Sequence, residues 1–292
     1  MEQHVSSREQ TIIRLDFNTK VRLAWQLSRA CGLPYFALFS GILLLIIFLQ
    51  TAIYIAEPNS ILQIIPGLLY FGLFAVCLGV CRSALLYMDG KENSFRWTTI
   101  LEPVSRPVAT LPLVTILTAL FMLTQLYMFI PLSDSAILAL ALIALPLLLL
   151  LEYHCYYAAE NTSANALEIL TRPFGLIKCS PKIWLSGCAG YGLSYLVLII
   201  VAFPAGIIVN LVDMLSNPGM FFNFDSQSYF HIPAMLTGSL APVQFVVRAA
   251  YIFFVFLVTA ATMVFNTFIF AIAYKQSILI FKSGAVNKSG RP

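Results

Sequence analysis

Six long apolar stretches dominate this 292-residue chain, roughly Tyr35 to Ala56, Ile61 to Leu85, Val108 to Ile130, Ala136 to Leu151, Ile183 to Val212 and Gln244 to Tyr274. A bilayer core about 30 Å thick takes about 20 apolar helical residues to cross, and the stretches reach that length, the fourth only marginally. With 60% apolar and 10% charged residues, the chain lies far from the globular average of about 45 to 50% and about 25%. The expected fold is an all-α membrane protein with six transmembrane helices in a single polytopic domain, residues 1–292. The first stretch starts after 34 residues of mixed polarity, exceeds a signal-peptide core and is followed by no small-residue cleavage site, so it is expected to stay as a span.

The basic residues fix an orientation. Arg8, Arg14, Lys20, Arg22 and Arg29 precede the first stretch; Arg82, Lys91, Arg96 and Arg106 surround the second link. Arg172, Lys178 and Lys182 lie before the fifth stretch, and Lys275, Lys282, Lys288 and Arg291 follow the sixth. The opposite loops contain Glu57, Asp134, Asp213 and Asp225, and of the 17 Lys and Arg only Arg248 falls outside the first set. Both termini are therefore expected to be cytoplasmic. A net charge of +4 is explained by this orientation, and no nucleic-acid partner is expected. The six cysteines, Cys31, Cys77, Cys81, Cys155, Cys179 and Cys188, fall within spans or at cytoplasmic ends, where free thiols are expected.

The cytoplasmic links carry a period. A basic residue, a short polar link and a proline precede each odd-numbered span, and Pro34, Pro107 and Pro181 are 73 and 74 residues apart. Fixed-period similarity marks a repeat, here three units of a cytoplasmic amphipathic helix followed by a transmembrane hairpin, over about 14–88, 89–157 and 158–281. Trp97, Ile100, Leu101 and Val104 follow helical spacing after Asn93 and Ser94, which are candidate caps; Leu167, Leu170, Phe174 and Ile177 do so in the third unit. In the first, Phe17, Val21, Ala24, Trp25 and Cys31 share a face, Asp16 or Asn18 is the candidate cap, and Gly32 before Pro34 is the expected stop. Pro103 and Pro173 are expected to break or kink the later copies. Basic amphipathic segments with Trp25 and Trp97 suit the cytoplasmic interface; the alternative is an ordinary connection packed on the bundle.

Polar residues within the apolar stretches are the candidate sites. Arg248 lies about one turn into the sixth stretch, and Asp213 closes the fifth on the same side, so an intramembrane ion pair is expected between them, with an anion contact as the alternative. Gln125, Asn210 and Asn266 are the candidates for a polar path, or for plain interhelical hydrogen bonds. Glu152 and His154 end the fourth stretch and form a candidate cytoplasmic-interface cluster with Arg82 and Lys182, read as a hydrated interface rather than a zinc site. Ala75, Gly79, Ser83 and Ser186, Gly190, Ser194 give small residues at every fourth position, which allows close helix packing. Pro66, Pro146 and Pro204 are expected to kink their spans.

Residues 213–243 form a loop of about thirty residues whose Phe221, Phe222, Phe224, Tyr229 and Phe230 point to a folded extracytoplasmic cap or to an anchoring aromatic belt. No zinc helix, nucleophile elbow or Walker loop is present. Asn161-Thr-Ser and Asn287-Lys-Ser match the glycosylation pattern but fall on the cytoplasmic side. No catalytic residue, metal or cofactor is expected.

The segment from Ala164 to Leu196, ANALEILTRPFGLIKCSPKIWLSGCAGYGLSYL, and MDGKENSFRW from Met88 to Trp97 carry a likeness to a known group. In its Ala-Leu opening helix, helix-to-span break and aromatic entry residue Trp184, the chain resembles bacterial six-span inner-membrane proteins without assigned activity. These include the membrane domain fused to some glycerophosphodiester phosphodiesterases. The long loop departs from their compact plan. The resemblance implies an inner-membrane location and carries over no catalytic residue. The expected role is non-enzymatic, in envelope maintenance or as a membrane subunit of a complex; the alternative is a transporter or lipid-handling permease. Expected partners are the lipid bilayer, a protein at the 213–243 loop and further copies of the chain.

Overall fold

A computed structural model describes residues 12, 14–55, 64–91, 95–124, 134–216 and 242–289, and among them every regular element is helical. In chain order these are α1 (Phe17–Ile55), α2 (Ile64–Met88), α3 (Trp97–Leu101) running into a 3₁₀ turn (Glu102–Ser105), and α4 (Pro107–Thr124). Then follow α5 (Asp134–Glu160), α6 (Ala166–Cys179), α7 (Pro181–Ser216) and α8 (Pro242–Ser289). Three of them are long and apolar enough to cross a membrane, at Phe71–Met88, Pro181–Val212 and Pro242–Ser283.

Helix ends follow the local chemistry. Asp16 caps α1 by accepting the Thr19 N–H at 2.9 Å, and hydrogen bonding by the Thr19 side chain together with this backbone bond holds the Asp16 carboxyl below its usual pKa. Asn165 and Glu168 form a reciprocal capping box at the start of α6, with bonds of 2.9 and 3.3 Å. Asn93 and Ser94 lie outside the described residues; α3 instead follows Arg96, which makes no side-chain cap. At the end of α2, Gly90 takes a φ of 72° while the Gly90 and Lys91 N–H groups bond back to Tyr87 and Leu86, the double return of a Schellman motif.

The prolines act unequally. Pro107 and Pro181 are the first residues of α4 and α7, where a missing N–H costs nothing. Pro103 falls in the 3₁₀ turn that ends the helical run of α3. The expected stop at Gly32 and Pro34 is not there: α1 continues through both to Ile55. Pro34 leaves the Ala30 carbonyl without its helical partner, and Ala30 and Pro34 are both exposed, so that carbonyl can be satisfied from outside the helix. Pro173 is likewise inside α6.

The chain divides into two compact units. The first comprises Met1–Cys31, Gly67–Tyr191 and Asn266–Pro292; the second comprises Gly32–Pro66 and Gly192–Phe265. Within the first unit two glycines allow close approach. A Cβ on Gly79 would lie 1.9 Å from the Ile100 carbonyl oxygen, and one on Gly190 would lie 2.6 Å from Ile269 Cγ1. Small-residue spacing in α2 therefore serves the docking of α3, and in α7 it serves α8.

Helix length locates the apolar work. At about 1.5 Å per residue, the 48 residues of α8 extend about 72 Å, more than twice the roughly 30 Å of hydrocarbon. Part of α8 must therefore leave a bilayer that the helix crosses. Its stretch from Phe268 to Tyr274 is almost completely buried within the first unit.

Candidate functional site

The most concentrated polar chemistry among the described residues lies in the first unit, where α5, α8 and the turn after α2 meet. Tyr153 and Tyr274 are fully buried and cross edge to face at 5.6 Å, and Tyr156 stacks on Tyr274 at 5.7 Å. Each hydroxyl has a bond, as buried phenols require. Tyr156 donates to the Thr267 carbonyl at 2.5 Å, Tyr153 meets Ser277 Oγ at 3.1 Å, and Tyr274 donates to Glu160 Oε2 at 2.9 Å. Next to them Lys275 Nζ bonds both Asp89 oxygens, at 2.6 and 2.8 Å, and lies 3.9 Å from Glu160. Two acids from separate helix ends thus share one cation.

Two arginines finish the same end of α5. Arg82 donates to the Ala159 carbonyl at 2.9 Å, while Arg106 reaches the Ala158, Asn161 and Thr162 carbonyls at 3.1, 3.3 and 2.8 Å. Helix C-termini leave such carbonyls without partners and gather partial negative charge, so guanidinium groups stabilise them twice over. Glu102 of the 3₁₀ turn pairs with Arg82 and offsets one of the two positive charges.

The sequence-derived candidates fall out as follows. Arg82 meets Glu102, and Lys182 is exposed and in no ion pair among the described residues; neither joins Glu152. His154 is fully buried, its Nδ1 3.1 Å from the Leu150 carbonyl and its Nε2 3.2 Å from that of Leu170, with the Phe174 ring edge-on at 4.8 Å. A neutral imidazole has one N–H for those two carbonyls, and the arrangement clasps α6 to α5. The run from Tyr153 to Tyr156 is thus core, where a hydrated interface was expected. In the second unit Asn210, Gln244 and Arg248 are buried. Asn266, in the first unit, is buried as well. Asp213 sits on α7, but its side chain, like all of Gln125, lies outside the described residues, as does 217–241 of the long loop.

Lys20 is a buried cation that the sequence reading did not single out. It is 3% exposed and donates to Ser186 Oγ at 2.6 Å, and that hydroxyl donates in turn to the Ile183 carbonyl. Desolvation lowers the Lys20 pKa, with Asp16 opposing. The six cysteines are free thiols. Among the described residues no three His, Cys, Asp or Glu side chains converge on a metal position.

The arrangement is one of ties between helix ends: hydroxyls on carbonyls, guanidiniums on a helix terminus, one lysine on two acids. Fold and site together define a helical protein with three helices fit to cross a bilayer and a polar network fastening the ends of several helices in its first unit. Protein-family models, curated proteins and solved structures contain no match to the chain.

Proposed function

We propose that the chain is a non-enzymatic, six-span inner-membrane protein with both termini cytoplasmic, acting in envelope maintenance or as a membrane subunit of a complex. The observation that carries the membrane part is the surface of α7. Along its apolar length Leu196, Ile199, Ile200, Phe203 and Ile208 are each more than half exposed. Water would reject so continuous a patch, whereas lipid accepts it. The six-span reading adds α1, α4 and α5 to the three long apolar helices, since each carries one of the apolar stretches and the basic links keep to one side. Roles of scaffolding type suit a network made of structural ties. The test is topological: single cysteines placed at Ser60 and Ser226 must both react with an impermeant maleimide from outside intact cells. Protection of either would overturn the arrangement.

One observation favours a second reading, a transporter or lipid-handling permease. Asn210 on α7 and Gln244 and Arg248 on α8 are buried on helices long and apolar enough to cross a membrane, and intramembrane polar groups of this kind line pathways in transporters. Proteoliposomes carrying the chain would then take up a small anion such as inorganic phosphate, and Arg248→Leu would abolish uptake. Absence of flux together with intact folding would leave the scaffold reading in place.

A further inference from the structure

Three sides of α6 differ in chemistry, and the difference identifies what the helix touches. Successive helical residues turn by about 100°, which sorts the fourteen residues of α6 into sectors. Ile169, Pro173 and Leu176 form one, buried against the rest of the first unit. On one side of it lie Leu170 and Ile177, half-buried, then Phe174 and Leu167, which are 48% and 71% exposed. Beyond Leu167 the arc passes to Lys178, Thr171, Gly175, Cys179 and Arg172, all exposed, before it returns to Leu176. A helix docked on a soluble domain needs two faces, one apolar and one polar. This one has a second apolar face that no part of the described chain covers.

The link to α7 sets the level of that face. Ser180 alone separates α6 from Pro181, and the exposed apolar surface of α7 begins at Leu185, one turn past the exposed Lys182. The last turn of α6 therefore lies where a span begins. At that level an uncovered apolar sector bordered by Lys178, with Lys182 beyond it, matches the boundary between acyl chains and acidic headgroups. Arg172, Lys178 and Lys182 make no ion pair among the described residues, so their charge is available to phosphate.

We propose that α6 is a lipid-seated helix: Leu167 and Phe174 enter the cytoplasmic leaflet, and Lys178 and Lys182 bind the phosphates of anionic phospholipid. This rests on the membrane-spanning reading of α7 and gives it a specific lipid class. Charge complementarity and continuity with the lipid-facing surface of α7 select a lipid over a protein occupant.

The test uses the full chain in nanodiscs, with its three tryptophans replaced by Phe and one new tryptophan introduced at a time. Bromines on the acyl chains quench tryptophan on contact. Phe174→Trp should be quenched at least twofold, and more by brominated phosphatidylglycerol than by brominated phosphatidylcholine. Cys179→Trp, on the polar side, should be quenched little. Adding Lys178→Gln and Lys182→Gln should erase the preference of the Phe174→Trp protein for phosphatidylglycerol. Leu196→Trp on α7 reports separately on the span. Quenching there with none at Phe174→Trp would overturn the lipid seat and leave the span intact, as a protein-covered face requires. No quenching at Leu196→Trp would overturn the membrane reading itself. Equal quenching by the two lipids at Phe174→Trp would overturn the anionic class.

Discussion

Replacing Gly79 by Ala adds one methyl group where α3 crosses α2. That Cβ would lie 1.9 Å from the Ile100 carbonyl oxygen and 2.5 Å from its C and Cα, whereas ordinary contact begins at 3.4 Å. The obstacle is backbone, so no rotamer change relieves it; α3 would have to retreat by about 1.5 Å, which breaks close packing along Ile100, itself fully buried. Overpacking of this kind costs about 1 to 3 kcal/mol, against a helix-propensity gain near 1 kcal/mol for Gly→Ala. The expected net effect is a loss of up to about 2 kcal/mol. An internal control lies seven residues earlier in the same helix. A Cβ on Gly72 meets nothing within 4 Å, so Gly72→Ala should stabilise by about 0.5 to 1 kcal/mol. Thermal unfolding of both proteins in one detergent, followed by intrinsic fluorescence, should move the midpoint by a few degrees in opposite directions. A Gly79→Ala protein as stable as Gly72→Ala would refute the reasoning, because propensity would then outweigh the contact.

Three further outcomes follow from the ties between helices. Arg106→Met removes three hydrogen bonds from the end of α5 and should cost about 1 to 2 kcal/mol, with faster proteolysis near Asn161 as the local readout; unchanged cleavage would count against the capping role. Burial lowers the Lys20 pKa beneath its ordinary 10.5, so the folded chain bears a charge penalty that is full below the lowered value and fades as pH rises through it toward 10.5. Lys20→Met should thus be at least as stable as the parent near neutral pH, with its advantage shrinking at alkaline pH; an advantage that grows with pH would contradict this. For the candidate pair of Arg248 and Asp213, Arg248→Leu should be tolerated better in an Asp213→Leu background, and equal damage in single and double mutants would rule out coupling.

Much of this architecture is legible in the sequence because lipid imposes a length and a polarity on any segment that crosses it. The apolar runs, the Asp16 cap and the helix starts at Pro107 and Pro181 follow from local chemistry that acts within one or two turns. What escaped has a longer reach. Whether Pro34 ends a helix depends on whether the Ala30 carbonyl finds a partner outside it, which neighbouring residues do not encode. Arg82 chooses Glu102 over Glu152 because α3 docks on Gly79, a tertiary event. Glu152 and His154 read as a hydrated interface, and Tyr153 and Tyr156 beside them do not correct that reading, since an amphipathic ring is equally at home in a headgroup layer or in a core with bonding partners. Only their partners on α8, more than a hundred residues later, decide the matter.

That separation bears on how the chain is made. Asp89 and Glu160 leave the ribosome long before Lys275, which follows Asp89 by 186 positions, and Tyr153 and Tyr156 likewise wait for Ser277 and Thr267. Until α8 is synthesised, these two carboxylates and two phenols have no α8 groups to satisfy them. A chain cut short before residue 266 therefore leaves a polar seam without the hydroxyl, carbonyl and ammonium groups that close it.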